Sequence, residues 1–230
     1  MMENELKSNY ELVMERIEKA CFRAGRKPEE IKILGASKKQ DPRKIRILYH
    51  LGIKIFGENY VQEAEKKKAY LSDLDIEWHF IGRLQRNKVK KAINIFHLIE
   101  TVDRIEVALE LEKRLSVLGK RLPVFIEVNV GDEETKGGVK PDNLLSFAES
   151  IIELKHLEIR GLMCLPPLEE KVELARPYFR LMRKLFEKVK PLCGDNFTEL
   201  SMGTSHDFEI AIEEGATLLR LGTILFGKRL

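Results

Sequence analysis

The chain has 230 residues, 40 Lys and Arg against 37 Asp and Glu, and a formal net charge of +3. That length fits one domain of ordinary composition, able to bury about 70% of the surface its unfolded form exposes, and the near balance of charge argues against nucleic acid or an anionic membrane as a partner. Cys21, Cys164 and Cys193 are widely spaced and show no CxxC or Cys/His pattern, which argues against a disulfide scaffold and a zinc site and fits a reducing compartment.

The N-terminal stretch MMENELKSNYELVMERIEKACFRAG mixes acidic and basic residues and has no continuous apolar core, so neither a signal peptide nor a membrane anchor is expected, and the expected location is the cytoplasm. Within it, Leu6, Tyr10, Val13, Met14, Ile17 and Ala20 recur at helical spacing and Gly25 supplies a stop, predicting a helix from Glu3 to Ala24. The short apolar run Ile31 to Ser37 predicts a strand, and Asp41 and Pro42 read as the cap and first residue of a helix ending at Gly52. The alternation continues with Lys54 to Phe56 before Val61 to Leu71, Ile76 to Ile81 before Gln85 to Ile95, and His97 to Thr101 before Asp103 to Leu118. Pro123 to Val130 is apolar on nearly every position, as a strand covered on both faces requires, and Pro141 and Asp142 open the helix after it. Leu157 to Leu165 with Glu169 to Lys190, Thr198 to Met202 with Ser205 to Glu214, and Thr217 to Leu221 bring the strand count to eight. Pro177 marks a kink or a late start in the seventh helix.

Eight βα units close into a (β/α)₈ TIM barrel or form an open doubly wound sheet. The open sheet usually carries a glycine-rich phosphate loop after its first strand, which Gly35-Ala36-Ser37-Lys38-Lys39 is not, so a single barrel domain over residues 1–230 is expected. The run Phe226 to Leu230 leaves no space for a helix after the eighth strand, and the N-terminal helix is expected to take that place.

Barrel enzymes work at the C-terminal ends of their strands, often with a phosphate held after the seventh and eighth. That rule selects Lys38, Asn59, Asn129, the segment Ser201 to Ser205 and the segment Arg220 to Thr223. The last two, SMGTS and RLGT, join hydroxyl side chains to glycines whose backbone N–H groups can approach a phosphate, so a phosphorylated ligand is implied. By spacing alone Lys38 reads as a solvated loop lysine; opposite a phosphate-binding floor, in a mouth of low dielectric, it reads instead as an amine able to lose its proton and attack a carbonyl carbon, and Lys39 reads as a rim charge.

The segments ASKK around Lys38, FGENYVQE from Phe56, WHFIG from Trp78 followed by LQRNK, LSMGTSHDFEIAI from Leu200 and RLGTILFG from Arg220 together resemble the pyridoxal phosphate homeostasis family, in the family's order, from about Lys32 to Gly227. The resemblance implies a fold-type-III barrel similar to the N-terminal domain of alanine racemase. It implies pyridoxal 5'-phosphate (PLP) as a Schiff base on Lys38, with the phosphate held by Ser201, Gly203, Gly222 and Thr223, Arg220 facing the pyridine nitrogen, and Asn59 near the ring. A guanidinium keeps its protons, so Arg220 would donate to that nitrogen and leave the ring a weaker electron sink. Arg83, where a histidine often follows WHFIG, and Thr204, where SMGMS has methionine, depart from the family pattern; neither is placed at the lysine or the phosphate floor.

His79 reads either as an acid/base or as a hydrogen-bonded residue of the core or mouth. Lys136 reads either as a shield or relay for the cofactor or as a plain loop lysine. The basic run Arg83, Arg86, Lys88, Lys90, Lys91 reads as a solvated helix face. The function implied is a non-enzymatic PLP carrier that supports supply of the cofactor to apo PLP-dependent enzymes, acting as a monomer or weak homo-oligomer. Two enzymatic alternatives compete with it: an amino-acid racemase or decarboxylase, which needs a second acid/base group, and a Schiff-base aldolase on the same barrel.

Overall fold

A parallel strand buried on both faces needs helices on one side and alternate inward residues on the other, and a closed ring of such strands supplies both. The structure, a computed structural model, describes residues 2–133 and 135–227. Its strands β1 (Lys32–Ala36), β2 (Ile55–Glu58), β3 (Glu77–Phe80), β4 (Leu98–Val102), β5 (Leu122–Val128), β6 (Leu157–Cys164), β7 (Glu199–Thr204) and β8 (Leu218–Leu221) are all parallel and paired in chain order. The ring closes where β8 returns to β1, with Leu34 opposite Arg220 and Gly35 opposite Leu221. The expected (β/α)₈ barrel is therefore the observed one.

Around it lie α1 (Met2–Ala24), α2 (Pro42–His50), α3 (Val61–Tyr70), α4 (Val89–Ile95), α5 (Ile105–Leu118), α6 (Leu144–Ile152), α7 (Arg176–Cys193), α8 (Phe208–Glu213) and the single turn α9 (Thr223–Phe226). The N-terminal helix α1 packs between α8 and α2 and over α9, in the place of an eighth barrel helix. Arg16 pairs with Glu209 at 2.8 Å, Arg23 with Glu213 at 2.7 Å, and the Asn9 amide donates to the Leu225 carbonyl at 3.1 Å. Met1, Glu134, Lys228, Arg229 and Leu230, the last three belonging to the terminal run discussed above, lie outside the described residues. Among the described residues no helix is long and apolar enough to cross a membrane.

Strand alternation sorts the apolar residues into two layers. Ile99, Val124, Ile126, Leu162, Leu200, Leu219 and Leu221 face the helices, whereas Leu34, Leu98, Phe125, Met163 and Leu218 form a small plug inside the barrel. The same inward positions carry His79, Glu100, Ser201 and Arg220, all buried.

Several ends differ from the sequence expectation. The seventh helix begins at Arg176 rather than Glu169, because Pro177, which has no N–H to offer, is suited to the first turn of a helix; Pro177 thus marks the late start. The eighth begins at Phe208 rather than Ser205: Asp207 Oδ1 accepts from the Thr204 N–H at 2.6 Å and from its hydroxyl at 2.9 Å, folding Thr204 to Asp207 into a turn. The seventh strand runs to Thr204 instead of Met202.

Candidate cofactor site

Lys38 follows β1 by two residues, in a turn closed by the Gln40 N–H donating to the Ser37 carbonyl at 2.9 Å. Lys39 adopts φ +58°, a left-handed conformation that costs a non-glycine residue energy and persists only where neighbours hold it. They do. Lys67 from α3 donates to the Ser37 carbonyl at 2.6 Å, to Glu58 Oε1 at 2.7 Å and to Glu63 Oε1 at 2.7 Å. The Ser37 hydroxyl donates to Glu58 Oε1 at 2.6 Å, and Glu63 Oε1 accepts the Lys39 N–H at 2.5 Å. Glu58 and Lys67 are both buried, so the turn bearing Lys38 stands on an ion pair screened from water.

Half-buried Lys38 lines a cavity of about 220 Å³ at the C-terminal mouth of the barrel, together with Asn59, Arg220, Gly222 and Thr223. Five residues selected from sequence thus meet in one place. The other two do not. Ser201 is fully buried below the cavity, donating to Glu100 Oε2 at 2.6 Å and accepting from Arg220 Nη1 at 2.7 Å, so its hydroxyl is committed and does not line the cavity. Gly203 has φ +94°, and a Cβ there would lie 2.7 Å from that of Ala211; the glycine lets β7 pack against α8 and is not among the lining residues.

The wall expected from Ser201 and Gly203 is made instead by Thr204 and Ser205, both lining residues. The Ser205 hydroxyl accepts the Gly222 N–H at 3.1 Å and the Ile224 N–H at 3.3 Å, which ties β7 to the start of α9. Thr204, a departure set apart from the lysine in the sequence reading, therefore belongs to the same cavity. A Cβ at Gly222 would meet Ala36 at 3.6 Å, an ordinary van der Waals contact.

Arg220 is buried, with Nη2 donating to the Cys164 carbonyl at 2.6 Å. Burial beside this group still pushes the Cys164 thiol up to about 12, so it stays a thiol. On β5, on the opposite side of the ring from β1, Glu127 also lines the cavity. Burial pushes its carboxyl up to about 7 and Asp103 adds to the effect, against the pull of Arg220, Arg104 and Arg83. Asn59 Oδ1 is buried and has no hydrogen-bond partner among the described residues.

The remaining candidates lie elsewhere. Lys136 pairs with Glu133 at 2.5 Å and donates to the Pro166 carbonyl at 3.3 Å, outside the lining set. Asn129 staples its own loop through the backbone of Glu133. Arg83 borders an adjoining cavity with Asn59 and Gln62. His79 is a hydrogen-bonded residue of the barrel core, between Glu100 at 2.7 Å and Glu77 at 2.9 Å. Sequence reasoning passed over Glu127 and Glu100, and within the selected segment Ser201 to Ser205 it assigned the phosphate to Ser201 and not to Ser205. A carboxylate inside an apolar strand run, as in VFIEVNV and HLIETV, is the signal that could have found the two glutamates, since burying a charge is costly without a role or a partner.

The family model described as alanine racemase, N-terminal domain, matches residues 4–229. A pyridoxal phosphate homeostasis protein of Aquifex aeolicus is 52% identical over 217 residues, covering 94% of this chain and 95% of its own. The structure of PipY from Synechococcus elongatus with PLP bound aligns with a TM-score of 0.81 at 34% identity, covering 92% of this chain and 100% of that one. Alanine racemase of Clostridium difficile shares the fold, with a TM-score of 0.77 at 15% identity over 98% of this chain and 60% of that one. With a family match across almost its whole length and relatives this similar, the chain belongs to the pyridoxal phosphate homeostasis protein family, within the alanine racemase N-terminal domain family.

Proposed function

We propose that the protein is a single-domain intracellular carrier that holds PLP as a Schiff base on Lys38 and supports its supply to apo PLP-dependent enzymes, acting in the cytoplasm without nucleic acid or membrane. The observation that carries this reading is the meeting, in one cavity, of Lys38 with Arg220, Thr223, Ser205 and Gly222. The donor set fits a phosphorylated pyridine aldehyde. The Thr223 hydroxyl, and the Ser205 hydroxyl, whose proton is left to donate once its oxygen accepts the Gly222 and Ile224 N–H groups, suit a phosphate; Arg220 suits a neutral ring nitrogen; Asn59 Oδ1, without a partner among the described residues, awaits a donor. When bound, PLP supplies an aldehyde carbon open to attack by an amine and a ring that draws electrons from it. The relatives' names and the PLP-bound PipY structure support the same reading.

One observation favours a second reading, a racemase-like enzyme. Glu127 brings a carboxyl that titrates near neutrality to the side of the cavity across from Lys38, as a second acid/base group would require. The two separate on mixing the PLP-loaded protein with an apo-enzyme and, in parallel, with a panel of amino acids. Recovery of the enzyme without turnover supports the carrier; steady racemisation or CO₂ release that disappears in both Lys38→Ala and Glu127→Gln supports the enzyme.

A further inference from the structure

A continuous chain of hydrogen bonds runs along the barrel interior, from the face opposite the cavity to the cavity itself. Glu77 Oε1 lies 2.9 Å from His79 Nε2, and His79 Nδ1 lies 2.7 Å from Glu100 Oε1. Ser201 Oγ donates to Glu100 Oε2 at 2.6 Å, and Arg220 Nη1 donates to Ser201 Oγ at 2.7 Å. Apart from Glu77, every member is at most 6% exposed.

The chemistry of the groups fixes the direction of each bond. An ionised carboxylate only accepts, so an imidazole held between two of them donates from both nitrogens and carries its positive charge. Burial opposes that charge, but the bonds to Glu100 and Glu77 outweigh it and raise the His79 pKa to about 8. The Ser201 proton points to Glu100, leaving its lone pairs for Arg220. Acceptors and donors therefore alternate along the axis: Glu77 accepts, His79 donates, Glu100 accepts, and Arg220 donates through Ser201.

We infer that His79 and Glu100 are positioning residues that act through Ser201 to hold the Arg220 guanidinium against the cofactor, coupling the cofactor site to the opposite face of the barrel. The inference rests on the cavity being a PLP site. At that opposite face His79 borders a cavity of about 260 Å³ shared with Lys32, Glu77, Arg160 and Glu199, which gives its proton a route to solvent. The charges there are themselves paired, Lys32 with Glu199 and Arg160 with Glu158 at 2.5 Å, while His97 and Lys32 act on Glu77 from outside the chain. When His79 loses its second proton, the positive charge beside Glu100 is lost whichever nitrogen keeps its hydrogen, and the field that Glu100 and Ser201 present to Arg220 changes with it.

The test has a cofactor-free and a cofactor-bound arm. In the protein without PLP, the Arg220 side-chain ¹⁵N resonances should shift as His79 titrates near pH 8, and Ser201→Ala or His79→Gln should abolish that shift. In the loaded protein, absorbance of the bound chromophore should show the same transition in wild type and lose it in both variants. Ser201→Ala should also weaken PLP and pyridoxal by a similar factor, about tenfold, because it acts through Arg220 and not on the phosphate. An Arg220 resonance that ignores His79, or a transition unchanged in Ser201→Ala, overturns the inference. Failure of wild type to bind PLP, with the resonance shift intact, would instead overturn the cofactor reading and leave the coupling standing.

Discussion

Lys67 Nζ lies 2.6 Å from the carbonyl oxygen of Ser37, the residue immediately before Lys38. A lysine on the third helix thus holds the turn that presents the lysine of the first strand, and it brings a counter-charge to the buried Glu58 in the same contact. Lys67→Met should leave the buried Glu58 with the Ser37 hydroxyl but no counter-charge and destabilise the fold by about 3–5 kcal/mol. Urea denaturation measures this. A loss below about 1 kcal/mol would mean that the pair contributes little beyond packing.

The phosphate wall predicts a contrast between two vitamers. Thr223→Ala and Ser205→Ala each remove a hydroxyl from the cavity, and each should cost roughly 1.5–3 kcal/mol, about tenfold or more in PLP affinity. Pyridoxal, without a phosphate, should bind wild type weakly and lose little in Thr223→Ala. Fluorescence titration with both vitamers checks it, and equal affinities in wild type would remove the phosphate wall.

Stability should fall as pH rises through neutrality. Glu127 has its folded pKa raised from 4.5 to about 7, so the native state binds a proton that the unfolded chain has released, and the stability this gives is present below pH 4.5 and lost by pH 7. His79, raised from 6.5 to about 8, adds stability that is present below pH 6.5 and lost as pH passes 8. Glu127→Gln should therefore be more stable than wild type at pH 8, by about 1–3 kcal/mol, with the gain absent at pH 4. Thermal melts across that range decide it; a variant no more stable at pH 8 than wild type would show that the Glu127 carboxyl is not penalised in the fold.

Much of the architecture was legible because strands of a closed parallel barrel are apolar on both faces and stand out between amphipathic helices, and the rule that barrel sites gather at the C-terminal strand ends pointed to Lys38, which lines the cavity at the mouth. What the sequence did not carry was depth. The seventh strand runs two residues beyond its apolar stretch, to Thr204, so Ser201 sits a layer below the cavity and Ser205 takes the place assigned to it. The same limit hid Glu100 and Glu127, since a nearly continuous apolar run does not say which of its alternate positions faces inward. Glu58 and Lys67 were invisible for a different reason: nine residues apart, on a strand and a helix, they meet only once both are folded.

Lys38 is the residue proposed to carry PLP. Borohydride reduction of the PLP-loaded protein, followed by intact mass and peptide mapping, tests it directly. The predicted result is one phosphopyridoxyl group per chain, on Lys38, and no adduct in Lys38→Ala. A label on Lys39 or Lys136, or an equal yield of adduct in Lys38→Ala, would contradict the assignment.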